Sequence, residues 1–142
     1  MKIIPYGSET TNMRYNTPTI TLYRTGSIHF SKGAGVILGL SHKAAWKYYQ
    51  DEESPFDLYV GVVSKSDRTS LTIRYTRTGS WMSNNAFFAK QVLDLLRLDG
   101  GSARFLIGRE PEVYKGVNVY PLITCEYVKA LSPDYVSKME NF

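Results

Sequence analysis

The tetrapeptide Arg-Thr-Gly-Ser occurs twice, at 24–27 and 77–80, which sets Gly26 and Gly79 53 residues apart. The chemistry around the two copies follows the same order. "TITLYRTG" (19–26) alternates Ile20 and Leu22 against Thr21 and Tyr23, and "SLTIRYTRTG" (70–79) alternates Leu71, Ile73 and Tyr75 against Thr72, Arg74 and Thr76. Alternation with period two, stopped by glycine, is the pattern of a strand entering a turn. Each copy then passes through a polar patch into a helical segment ending in Leu-x-Leu. A strand, an acidic turn carrying Pro55 or Pro111, and a further strand follow.

This shared order predicts one unit used twice. The expected fold is mainly β with short helices (α+β), two related strand–helix–strand–strand units forming one barrel. The boundaries are an N-terminal arm over 1–18, a first unit over 19–63, a linker "SKSDRT", a second and divergent unit over 70–124, and a C-terminal tail over 125–142. The alternative is a plain α+β domain with a coincidental tetrapeptide.

Local signals refine the elements. "SIHF" (27–30) reads as a short strand and "SKGAGVILGL" as a short helix capped by Ser31, weakened by about 1 kcal/mol for each of Gly33 and Gly35. "AAWKYYQ" and "LYVGVV" read as a hairpin around "DEESPFD". In "SNNAFFAKQVLDLLRLDGG", Asn84 or Asn85 caps a helix. Phe88, Val92, Leu95 and Leu96 share one face, Phe87 and Leu93 widen it, and Gly100 and Gly101 stop it. "ARFLIG" is a strand, and "VYKGVNVYPLIT" is a strand pair or bent strand around Lys115-Gly116. The tail has room for a short helix.

A chain of 142 residues with 43% apolar content can bury a core of its own. No apolar run approaches the roughly 20 residues of a membrane span. The single Cys125 excludes an internal disulfide, and the N-terminus lacks the apolar region of a signal peptide, so a cytoplasmic protein is expected, in a bacterial or phage-infected cell. The net charge of +4 divides as +2 on either side of Ser70, so any basic surface must be assembled by folding.

Catalytic signatures are missing. His29, His42 and Cys125 have no second ligand at metal-binding spacing, and Asp51, Glu52, Glu53 and Asp57 lack the spacing of a calcium loop. Neither a phosphate loop nor a nucleophile elbow occurs. No enzyme activity, cofactor, metal, membrane partner or small-molecule substrate is expected.

The segment "GSIHFSKGAGVILGL" resembles the swapped-hairpin unit of the AbrB-like transition-state regulators and antitoxins. Gly26, Ile28, Phe30, Lys32, Leu38, Gly39 and Leu40 match that unit in kind. Ser27 stands where the family often has a basic residue, Ser31 where it has proline, and "SHKAAW" where it has Gly-Asp. The second copy matches loosely. The resemblance implies a barrel of interleaved hairpins, formed within one chain or between chains of a homo-oligomer, that presents basic residues to DNA. Arg24, Lys32 and Lys43 around the first turn, and Arg74, Arg77 and Lys90 around the second, are the expected contacts. Arg24 and Arg77 are equivalent under the repeat.

The leading expectation is therefore a DNA-binding regulator or architectural protein. A non-enzymatic phage or mobile-element assembly protein, using its tyrosine-rich strands for protein contacts, is one alternative. The other is a single-strand nucleic-acid binder with Tyr23, Tyr48, Tyr75 and Trp81 as a stacking groove.

Overall fold

Alternation in "TITLY" becomes strand β1 (Thr19–Tyr23), with Ile20 and Leu22 fully buried and Thr21 on the outer face. The chain turns at Gly26, whose φ of 106° lies in the region glycine tolerates best, and returns as β2 (Ser27–Phe30). Helix α1 (Lys32–Leu38) follows, then β3 (Ala44–Gln50), β4 (Leu58–Ser64), β5 (Arg74–Tyr75) and β6 (Trp81–Asn84). Helix α2 (Ala86–Leu95), β7 (Ser102–Ile107), β8 (Glu112–Tyr114) and β9 (Val117–Lys129) complete the order. The computed structural model describes residues 17–98 and 100–129, with side chains through Thr124. Residues 1–16 of the expected arm and 130–142 of the expected tail lie outside the described residues.

All strand pairings are antiparallel. One curled sheet runs β3-β4-β9-β7-β1-β2-β6-β5, with β8 paired to β9 off this path. Its two ends meet: Trp46 and Leu71 exchange backbone hydrogen bonds of 3.0 and 2.8 Å, joining β3 to the segment entering β5. Inside the curl, Ile20, Leu22, Ile28, Phe30, Trp46, Phe88 and Phe105 are inaccessible to solvent. The Trp46 indole N–H donates to Ser83 Oγ at 2.8 Å, which satisfies a polar group that burial would otherwise leave unpaired. No described helix is long and apolar enough to cross a membrane.

The register carries a numerical regularity. Across β2 and β6, Ile28 faces Ser83, His29 faces Met82 and Phe30 faces Trp81. A shift of 53 residues exchanges the first pair with the third and leaves His29–Met82 at the centre. The same shift turns Leu22–Ile28 of β1·β2 into Tyr75–Trp81 of β5·β6, and Thr21–His29 into Arg74–Met82. Across β4 and β9, Tyr59–Pro121 and Gly61–Val119 exchange about a central Val60–Tyr120, under a shift of 60 rather than 53. The hydrogen bond from Ile107 N–H to Pro18 C=O matches that from Trp46 N–H to Leu71 C=O, at 2.9 and 3.0 Å. With the Trp46–Leu71 link included, exchanging β1 with β5, β2 with β6, β3 with β7 and β4 with β9 leaves every neighbour relation on the path unchanged, while β8, paired to β9, has no counterpart.

Some local expectations need correction. "SLTIRYTRTG" is not one strand: only Arg74–Tyr75 pair as β5, with Leu71 bridging separately to Trp46. Strand β6 occupies the patch that read as merely polar, because Trp81 and Ser83 point inward. Helix α2 stops at Leu95 rather than at Gly100, and Arg97 takes the left-handed turn at φ 56°. Its buried face is Phe88, Ala89, Val92 and Leu93, while Phe87 is 71% exposed. Strand β9 runs on to Lys129, past the expected boundary at 124, with a bulge where the partners of Phe105 and Leu106 jump from Tyr127 to Ile123.

Candidate nucleic-acid interface

The six basic residues singled out by the sequence fall into two groups. Lys32, Arg74 and Arg77 lie on or beside β5, the last strand of the sheet path, and Lys43 lies in the turn entering β3. Lys32 opens α1, just after the Ser31 cap, whose Oγ accepts from Ala34 N–H at 3.1 Å and donates to Thr17 C=O at 2.8 Å. This cap aims α1 at the second Arg-Thr-Gly-Ser turn. A β-carbon built on Gly79 would lie 3.8 Å from Lys32 Cδ and 3.5 Å from Tyr75 Oη. Arg77 sits in that same turn. Gly79 N–H bonds Thr76 C=O at 3.2 Å there, and Thr76 Oγ1 lies 2.9 Å from Thr78 Oγ1 and 2.8 Å from Ser80 Oγ.

Arg74 points outward from β5, its guanidinium 3.8 Å from Met82 Sδ. Strand register extends this position into a row across the outer face: Arg74, Met82, His29, Thr21 and Arg104 are successive neighbours on β5, β6, β2, β1 and β7. Arg104 is exposed between the buried Ala103 and Phe105. Beyond the isolated Trp46–Leu71 bridge, the turn before β3 carries His42 to Tyr75. The His42 and Tyr75 rings are accordingly 6.0 Å apart. None of Lys32, Lys43, Arg74, Arg77 and Arg104 has a carboxylate partner among the described residues.

Arg24 belongs to the other group. Its Nη1 lies 2.8 Å from Asp94 Oδ1, its Nη2 donates to Leu98 C=O, and its Nε reaches Gly100 C=O at 3.5 Å. Its own N–H bonds Gly101 C=O at 2.8 Å. Arg24 thus clamps the connection between α2 and β7, a cation at the carbonyl end of a helix. Lys90 is exposed on α2. Arg24 and Arg77 are equivalent in the turn but not in surroundings, since Asp94 and the α2–β7 carbonyls take up one and nothing comparable among the described residues takes up the other.

The charge is polarised over the molecule. No acidic residue occurs between Glu9 and Asp51 or between Asp67 and Asp94, and these two stretches supply Lys32, Lys43, Arg74 and Arg77. Carboxylates collect instead around the β3–β4 turn and β8. There Tyr59 has its pKa raised by burial and then by Glu112, Asp57 and Asp51. In the basic row His29 has its pKa lowered, first by burial and second by the Arg74 charge.

Sequence reasoning missed Arg104 and His29, which stand in separate strands and become neighbours of the site only through register. For His29 the acid-free stretch was the available signal; Arg104 lies outside both stretches. Of the expected stacking residues, Tyr75 is 50% exposed. Trp81 is buried beside it, Tyr48 is stacked on Phe88 with ring centres 4.1 Å apart, and Tyr23 packs edge-on to His29. Among the described residues no three His, Cys, Asp or Glu side chains come together as a metal-binding group.

No family model, no curated protein and no solved structure matches the chain.

Proposed function

We propose that the chain is a DNA-binding protein, a regulator or architectural factor, that holds the phosphate backbone with Lys32, Lys43, Arg74, Arg77 and Arg104. The observation that carries this reading is the grouping of Lys32, Arg74 and Arg77 at β5 and the turn after it, none with a carboxylate partner among the described residues. Like charges held together without carboxylates repel one another, and a polyanion relieves that repulsion while releasing its own counterions. The β framework makes such a row rigid, which suits contact with a regularly spaced backbone.

The AbrB-like resemblance belongs to the same proposal. The exchange of strand partners, under a shift of 53 for β1 and β2 and of 60 to 61 for β3 and β4, supports two related units, 19–63 and 70–124, interleaved within one chain as a swapped-hairpin barrel. The proposed contacts are unequal across that pseudo-twofold: Thr21 stands where Arg74 stands, and Arg24 is occupied by Asp94. The protein therefore presents one strongly basic side, and a palindromic site is not required within a single chain.

The test is fluorescence anisotropy with a labelled random duplex, titrated at several salt concentrations. Wild-type protein binds with an affinity that falls steeply with salt. Lys32→Glu combined with Arg77→Glu abolishes binding while leaving the circular dichroism spectrum unchanged. Equal binding by wild type and the double variant refutes the site.

A further inference from the structure

Resting on the reading above that the basic side holds nucleic acid, we infer that Tyr75 is a stacking platform for an unpaired nucleobase, so that the preferred ligand of the site is a single strand. Tyr75 occupies the inward-facing position of β5, equivalent by the 53-residue shift to the fully buried Leu22. At an equivalent place in the core a large ring would be covered. Here it lies on the two-residue strand β5, where the sheet closes through a single bridge, and remains half exposed.

Its neighbours fix the ring without lying parallel on it. Trp81 meets it edge-on, with centres 5.0 Å apart and planes at 66°, and His42 meets it at 6.0 Å and 72°. Such edge contacts orient an aromatic ring and leave it able to accept a parallel stack. The hydroxyl network of Thr76, Thr78 and Ser80 holds the following turn in one shape, so little ordering remains to be done on binding.

Cations surround the ring on both sides of the strand. Lys32 and Arg77 lie at the turn against which Tyr75 Oη rests, and Arg74 holds the neighbouring position on the outer side of the same strand. A half-exposed ring among unpaired cations is the arrangement that single-strand binders use: bases stack and phosphates are neutralised on either side. In a B-form duplex the base faces are covered by their neighbours, so this ring has no partner there. A phosphate-only surface would have no use for an aromatic at its centre.

The full chain decides the matter with labelled oligo-dT, oligo-U and a duplex of the same length, followed by anisotropy at low salt. Wild-type protein is expected to bind at least one of the single strands about tenfold more tightly than the duplex. Tyr75→Ala removes that advantage and leaves duplex affinity unchanged, while Tyr75→Phe retains it. A parallel measurement on wild-type protein, photocrosslinking to a bromouridine-substituted strand with mass spectrometry, is expected to mark the peptide containing Tyr75. This readout does not depend on a variant folding. Equal affinity for all three ligands, or crosslinks only to other peptides, overturns the inference while leaving the DNA-binding reading intact. Binding to none of the ligands overturns both.

Discussion

Arg24 Nη1 lies 2.8 Å from Asp94 Oδ1, whereas Arg77, its counterpart 53 residues later, has no carboxylate partner among the described residues. The same tetrapeptide therefore supplies a clamp in one place and a free cation in the other. Arg24→Ala is expected to cost about 1–2 kcal/mol, mostly from the lost charge-assisted bonds to the α2–β7 carbonyls, because the half-exposed ion pair alone contributes little. Arg77→Ala is expected to change stability by less than about 0.5 kcal/mol and to weaken DNA binding. Urea titrations of both variants, with binding measured alongside, check the contrast.

The proposed phosphate contacts set a salt dependence. Four or five neutralised phosphates give a slope of about −4 in a log–log plot of duplex affinity against salt, and each cation removed reduces its magnitude by about one. A slope near zero would show that this side of the sheet does not hold a polyanion.

Gly35 illustrates a glycine kept for space. A β-carbon there would fall 2.5 Å from Trp81 Nε1, so α1 can lie on β6 only without a side chain at that position. Gly35→Ala is expected to destabilise by about 1–3 kcal/mol despite alanine's better helix propensity. The midpoint of thermal unfolding by circular dichroism reads the sign directly.

Ser83 is 4% exposed and accepts the Trp46 indole N–H. Ser83→Ala leaves that buried donor without a partner, at an expected cost of about 1–3 kcal/mol. A smaller loss would mean that the indole finds a substitute acceptor, visible as a shifted tryptophan emission maximum.

His29 makes stability depend on pH. Its folded pKa lies below the ordinary value of 6.5, so the unfolded chain binds the proton more readily. The stabilising contribution is complete above 6.5 and is lost as pH falls through the lowered folded value. Wild-type stability is therefore expected to decline from pH 7.5 toward about 5.5, before most carboxylates titrate, and His29→Gln is expected to flatten that decline. Urea midpoints across this range measure it.

Much of the local structure was legible in short windows. Ile20 and Leu22 against Thr21 and Tyr23 gave the inside and outside of β1, and Ser31 and the pair Asn84–Asn85, of which Asn85 is the cap, marked the helix starts, because alternation and capping are properties of neighbouring residues. The helix end at Leu95 was not legible. The α2–β7 connection is shaped by the Arg24 clamp, and that residue lies 70 positions from Asp94. Phe87 and Phe88 are adjacent and equally apolar, yet only Phe88 stacks on Tyr48, a contact set by the path of β3.

The candidate site divides in the same way. The sequence by itself determined the two turns at Gly26 and Gly79, the strand alternation, the number of cations and their separation from acidic stretches, since each depends on residue type and nearby spacing alone. Only the tertiary structure decided which cations stand free. Strand register brought Arg104 and His29 into the row with Arg74, the capped α1 carried Lys32 to the second turn, and the α2–β7 connection withdrew Arg24. Long-range pairing fixes these relations, and it depends on how whole faces pack, which no short stretch of sequence contains.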